Sequence, residues 1–388
     1  MQPKEFLMIP GPTPVPDTVL ETIARDPLGH RTKEFSKVLM EVTTSLKQLA
    51  ECEGDLLTLT SSGTGAMEAA IANTVSPGDK VLSCVCGVFG ERWVKIAQAF
   101  GASVDKLTAE PGEQISVDAL RDRLQQDKDK SIKVVTMTHN ETSTGVLNDL
   151  AQLALAVREH GALCVVDAVT SYGAVPIAFT NWGVDVMVAG SQKALMLPPG
   201  LAVVMMSDRA WDAQSRSKSP KFYFDLAKYR KSLSEETTPF TPNVSYVVGL
   251  KASLDMLKQE GYRAVYARHD RMKRALRAGV TGMGLKLFVK DEAAASPTIT
   301  SILPPSSISV DNLRRSMKER FNIRIADGQD ALKGKIFRIG HMGYVFERDI
   351  LMTLAALEAS LTELGYKCPA GIGVGSALAV LSLTAQPT

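Results

Sequence analysis

The chain has 388 residues, 45% of them hydrophobic and 22% charged, which is enough apolar side chain for a large core shared between two domains. A formal net charge of +2, with no Lys/Arg-rich cluster and no basic stretch interleaved with aromatics, argues against a dedicated nucleic-acid binder, so no nucleic-acid partner is expected. Five cysteines (Cys52, Cys84, Cys86, Cys164 and Cys368) form an odd set without C-x-x-C spacing; this supports neither a disulfide framework nor a zinc site and points to reduced, buried thiols.

The opening MQPKEF has no basic region followed by an apolar stretch, so no secretory signal is read there. After an N-terminal arm, residues 1–16, short apolar runs alternate with amphipathic helices through a large domain at 17–260, the pattern of an α/β fold with a mainly parallel sheet. The run LLTLT at 56–60 reads as a strand, and Ser61-Ser62-Gly63-Thr64-Gly65 then opens a helix. A strand, a small polar turn and a helix make an anion cradle, because the helix start offers unpaired N–H groups and glycines let the backbone come close. An ordinary N-cap is the alternative reading. KVLSCV at 80–85 is the next strand, and the helix at 91–100 stops at Gly101, as a C-terminal glycine should.

IKVVTM at 132–137 is a further strand and leads into His139-Asn140-Glu141-Thr142. LCVVD at 163–167 delivers Asp167 at its end, and VDVMVAG at 184–190 runs directly into Ser191-Gln192-Lys193. An acid and an amine thus leave two buried strand ends, where ligands of parallel sheets collect. Together they are what pyridoxal 5′-phosphate needs, a lysine for the Schiff base and an aspartate to keep the ring nitrogen protonated. Taken singly, each is more often a solvated turn residue.

Beyond the irregular polar stretch at 216–238, helices at 246–261 and 263–275 should link the large domain to a smaller C-terminal α/β domain at 261–388. Its strands fall at 298–303, 323–326 and 336–340, with helices near 310–320 and 348–364, and Arg338 sits on the last strand. The apolar segment GIGVGSALAVL at 371–381 is too short to span a membrane and rich in glycine, so it reads as a tail packed on the protein or on a neighbouring subunit. The terminal residues 385–388 are not a peroxisomal signal, and the expected location is cytoplasmic, with no membrane partner.

These pieces resemble, in order and over almost the whole chain, the class V aminotransferases of fold type I, within them the alanine/serine–glyoxylate group. The carriers are Pro10-Gly11-Pro12-Thr13, the turn at 61–65 with Ala66-Met67-Glu68, His139 to Val146, Asp167, Gly190 to Leu195 with Pro198-Pro199-Gly200, and Phe337-Arg338-Ile339-Gly340-His341. The resemblance implies a pyridoxal 5′-phosphate enzyme moving an amino group from a small L-amino acid, serine or alanine, to glyoxylate or a similar 2-oxo acid. It assigns Lys193 and Asp167 to catalysis and cofactor binding. Phosphate binding is assigned to Ser62, Gly63, Thr64 and Gln192, ring stacking to Phe89 where many members carry tryptophan, and the place beside the ring oxygen to Thr142. For Phe89 an ordinary core phenylalanine, and for Thr142 a short polar turn, remain open.

The resemblance further implies a homodimer in which Thr241 reaches the phosphate of the opposite subunit; the tyrosine that some relatives place nearby is Thr238 here. Arg338 is assigned to the substrate α-carboxylate, and Arg31, in the stretch that crosses toward the partner's active site, to a polar or acidic substrate side chain, with a solvated surface arginine as the alternative. Alternatives for the whole chain are an aspartate aminotransferase of the same class and the small subunit of a soluble hydrogenase. A sulfur-acting lyase would need an activated thiol, for which Cys368 is the only loose candidate.

Overall fold

Runs that are apolar at consecutive positions belong in strands covered on both faces, and such runs build the centre of this molecule. The computed structural model describes residues 5–383; the first residues of the arm and the terminal 385–388 segment lie outside that range. In chain order the strands are β1 (Phe6–Met8), β2 (Asp55–Leu59), β3 (Lys80–Val85), β4 (Ser103–Thr108), β5 (Ile132–Thr138), β6 (Asn140–Glu141) and β7 (Val146–Leu147). They continue with β8 (Leu163–Asp167), β9 (Val186–Gly190), β10 (Ala202–Met206), β11 (Lys286–Leu287), β12 (Ile299–Leu303), β13 (Ile323–Asp327) and β14 (Phe337–Gly340).

The larger sheet has the order β2-β10-β9-β8-β5-β3-β4 and is parallel except for β10, which runs against both its neighbours. The link at 191–201 is too short for the crossover that a parallel pairing with β9 needs, so the chain turns back instead. Alternate side chains of one strand enter different cores. Cys164, Val166, Met187 and Ala189 join an apolar cluster with Val42, Leu46 and Leu254, whereas Val165, Val186 and Val188 join Met67, Ile71 and Trp93. Every residue of β8, β9 and β10 is therefore buried, and the carboxyl ends of β2, β8 and β9 share one edge.

The smaller sheet has the order β1-β13-β14-β12-β11. Its outermost strand comes from the start of the chain, because β1 pairs in parallel with β13, Phe6 opposite Ile323 and Met8 opposite Ile325. Met8 accordingly joins a third core built from residues between Met272 and Ala377. The helix Tyr262–Gly282 connects the two regions: Val265 packs in the first core, and Met272, Leu276 and Val280 in the third.

The segment read as a tail is a helix, Ile372–Leu383. Its glycines are not breaks but contact points. A Cβ on Gly373 would meet the Met283 side chain at 3.0 Å, and one on Gly279 would strike Leu354 and come within 2.8 Å of the Gly373 carbonyl, so the two helices approach closely through small residues. Tertiary packing overrides the low helix propensity of glycine here. Among the described residues, no helix is long and apolar enough to cross a membrane.

Candidate active site

Three strand ends bring the site together. Past β2, Ser62 caps the helix Gly63–Thr74, its hydroxyl accepting from the Gly65 N–H at 3.4 Å. The first turn of this helix is crowded: a Cβ on Gly63 would lie 2.7 Å from Val169, and one on Gly65 would collide with the Ser61 hydroxyl. Only glycines admit the backbone there, and the result is a row of amide donors flanked by the exposed side chains of Ser62 and Thr64.

Past β8, Asp167 is 3% exposed and accepts one hydrogen bond, from the Val169 N–H at 2.8 Å. Burial raises its carboxyl to about 7, with the charge of Glu141 adding to the effect and those of Arg92 and Lys193 opposing it. Past β9, the turn that carries Lys193 is pinned by Ser191, whose hydroxyl donates to Pro198 O at 2.8 Å and accepts from Leu201 N at 3.2 Å. Lys193 Nζ donates to Pro10 O at 2.7 Å, and burial lowers its ammonium to about 8 against the pull of Asp167. The 10–13 segment lies directly over the lysine. Thr13 Oγ1 donates to Lys193 O, and Gly11, at φ +135°, has no room for a side chain because a Cβ would come within 2.5 Å of Nζ.

The smaller sheet closes the site with Arg338, on β14. Its guanidinium is buried, which brings it down to about 10 and leaves it cationic at neutral pH. Nε donates to Asp327 O at 2.8 Å, and Nη1 to Thr142 O at 2.8 Å and Gln329 Oε1 at 3.0 Å. The cavity between the two sheets measures about 500 Å³ and is lined by Ser62, Gly63, Thr64, Phe89, Thr142, Asp167, Gln192, Lys193 and Arg338. Nine of the eleven residues expected in the site therefore meet in one place.

Arg31 and Thr241 do not line this cavity. Arg31 Nη1 donates to Thr237 Oγ1 and Thr238 O, both at 2.6 Å, so the two outlying residues belong to neighbouring parts of one surface. Sequence reasoning missed Arg92, Asn140, Thr170 and Gln329, which line the cavity as well. Arg92 follows Phe89 by three residues on the helix Val88–Ala99, so it shares that face; its guanidinium stacks 4.6 Å over the Phe89 ring, and Nη1 donates to Thr64 Oγ1.

The residues present fit pyridoxal 5′-phosphate. The helix start offers an anion cradle in which a Cβ on Gly63 or Gly65 would collide, and a partly neutral lysine faces a buried acid. Cys368 lacks the features of an activated nucleophile, since burial and the charge of Glu358 push its thiol up rather than down. Among the described residues, no group of three or more His, Cys, Asp or Glu side chains is arranged to hold a metal ion.

Comparison with known proteins bears on the same arrangement. The family model "Aminotransferase class-V" matches residues 6–346. A protein of Anabaena cylindrica named soluble hydrogenase 42 kDa subunit is 50% identical over 98% of this chain and 100% of its own length. The serine–glyoxylate aminotransferase of Arabidopsis thaliana is 35% identical over 96% of this chain and 94% of its own. Among solved structures, the alanine–glyoxylate aminotransferase of Nostoc sp. superposes with a TM-score of 0.89 at 32% identity, covering 93% of this chain and 96% of that one.

Proposed function

The chain belongs to the class-V aminotransferase family, and on that premise we propose that it moves the amino group of L-serine or L-alanine to glyoxylate or a similar 2-oxo acid. The observation that carries this reading is the meeting of Lys193, Asp167 and Arg338 in one cavity between the two sheets. Pyridoxal 5′-phosphate, the cofactor of the family, supplies an electron sink for the pair left on substrate Cα when its proton departs. The amides of Gly63 and Thr64, the hydroxyls of Ser62 and Thr64 and the Gln192 amide would hold its phosphate. Phe89 would cover the ring and Thr142 flank its oxygen.

Asp167 would accept the ring N–H. A cationic partner at that position draws the carboxyl back from about 7 into its ionised range, and the ionised acid in turn keeps the ring nitrogen protonated. Lys193 Nζ, lowered to about 8, is neutral often enough near neutral pH to take the proton from substrate Cα and to return it on the acceptor half of the cycle. Arg338 would hold the α-carboxylate and so orient the substrate in the cavity that Lys193 Nζ shares.

A second reading within the same chemistry is favoured by three further cations: Arg92, Arg314 and Arg324 line the cavity and would suit aspartate as donor. Subunit membership in a soluble hydrogenase, the name of the Anabaena relative, concerns an assembly and leaves the chemistry of this cavity as it is. The five thiols, none of them in a disulfide, support a reducing, cytoplasmic setting. Arg31 and Thr241, outside the cavity of their own chain, would serve the cavity of a second copy in a homodimer. Initial rates with L-serine, L-alanine and L-aspartate, each against glyoxylate, decide the donor: the proposal expects serine or alanine to exceed aspartate in kcat/KM. A preference for aspartate would transfer the reading to the second, and formation of no glycine from any of them would end both.

A further inference from the structure

Arg338 faces the cavity with most of its donors already committed. Both hydrogens of Nη1 are taken, one by the Thr142 carbonyl and one by Gln329 Oε1, and Nε is taken by the Asp327 carbonyl. Nη2 makes no protein hydrogen bond among the described residues. A carboxylate binds a guanidinium through two adjacent nitrogens, and every such pair in Arg338 includes a nitrogen already in use. Two of the three acceptors are backbone carbonyls, Thr142 next to β6 and Asp327 at the end of β13, and these are fixed by the sheets. The third is a half-buried side chain on the link between β13 and the short turn Asp330–Leu332, and it lines the same cavity. Since Nη1 only donates, the Gln329 amide must present its oxygen, as one arm of a carboxylate would.

We propose that Gln329 is a stand-in for the substrate carboxylate. Its amide oxygen keeps the buried guanidinium paired while no substrate is bound, and an incoming carboxylate displaces it. The proposal rests on the reading of Arg338 as the carboxylate site. A charged carboxylate is a stronger acceptor than an amide, so its exchange for Gln329 is favourable; a ligand with a neutral end would replace one neutral acceptor with another and gain little. Gln329 thus lowers the affinity of every ligand that must displace it, by a common factor, without touching the reacting atoms.

The test uses the holoenzyme with propionate, the carbon skeleton of alanine without its amine, and propionamide as its neutral counterpart, both titrated by calorimetry. Gln329→Ala removes the competitor and should tighten propionate binding by roughly three- to tenfold, leaving the ratio to propionamide unchanged. Gln329→Glu supplies a permanent anion to Arg338 and should weaken propionate by about tenfold or more. In steady state the KM values for the amino donor and for glyoxylate should follow in the same directions, with the change falling on KM rather than kcat. Weaker propionate binding in Gln329→Ala would overturn the proposal, since Gln329 would then be helping to hold the substrate; so would unchanged affinity in both variants. Arg338→Ala separates the two levels of the argument. If it abolishes propionate binding while the Gln329 variants behave as wild type, only the stand-in role fails. If propionate binds Arg338→Ala as well as it binds wild type, the carboxylate site itself has been misplaced.

Discussion

Burial moves the two central ionisable groups of the cavity toward each other, Asp167 up to about 7 and Lys193 down to about 8. For Asp167 the shift runs from an ordinary 3.8 upward, so its contribution to the cofactor-free fold is complete below that value and lost as pH rises through about 7. Cofactor-free Asp167→Asn, which keeps the acceptor for the Val169 N–H, should therefore be more stable than wild type at pH 8, by at most about 4 kcal/mol, in denaturant melts. The same variant should bind pyridoxal phosphate more weakly, and equal or lower stability at pH 8 would show the acid to be better solvated than its surroundings suggest. Arg338→Ala should raise KM for both the amino donor and the oxo acid by about tenfold to a hundredfold, the worth of a charge-assisted pair, with a smaller effect on kcat. Unchanged KM values would remove Arg338 from the substrate site. Asp167 and Lys193 were legible in the sequence because one apolar run ends in the acid and the other stops three residues before the lysine, and a charge at the end of a buried strand has few places to go. Arg92 and Gln329 carried no such mark. One is a charged residue on a helix and the other a polar residue in a loop, and only folding shows that both point inward.

The helix Val88–Ala99 begins at Gly87, which offers no capping side chain. Its free amides are met instead by Glu141 from β6: Oε2 accepts from Phe89 N at 2.9 Å and Gly90 N at 3.1 Å, while Oε1 accepts from Ser143 N and Ser143 Oγ. Gly87 has to be glycine, because a Cβ would run into Glu141 and Ser143. This cap fixes Phe89 over the cavity. Glu141→Ala should cost about 1–3 kcal/mol in thermal or denaturant unfolding, from the buried amides it orphans, and should lower cofactor affinity with it. A normal melt with normal cofactor affinity would show the cap to be dispensable. Most strands could be placed from sequence to within a residue or two, because consecutive apolar residues bounded by turns leave little choice. The reversed sense of β10, the pairing of β1 with β13 and the C-terminal helix could not be placed in this way. Each depends on contacts between distant parts of the chain, and a glycine-rich segment gives no periodic signal until the small-residue surface it packs against is known.

At the scale of the whole molecule, the cavity lies between a large, mainly parallel sheet and a small mixed one that borrows its edge strand, paired in parallel, from the start of the chain. The 10–13 segment following that strand covers Lys193, so the pairing of β1 with the small sheet also places one wall of the site. If a second copy completes the site, two inactive variants should rescue each other: mixing Lys193→Ala with a Thr241→Arg variant, after partial denaturation and refolding, should recover up to about a quarter of wild-type activity through hybrid dimers. An active monomer in sedimentation would contradict that arrangement. The central claim is that Lys193 and Asp167 operate a cofactor for amino transfer, and the most direct measurement is the absorbance spectrum of the purified protein supplied with pyridoxal phosphate. A visible cofactor band is predicted, absent in Lys193→Ala, abolished by adding one of L-serine, L-alanine or L-aspartate, and restored by glyoxylate. If no band forms even with excess cofactor, the account of Lys193 is wrong and a role as a partner subunit becomes the better reading.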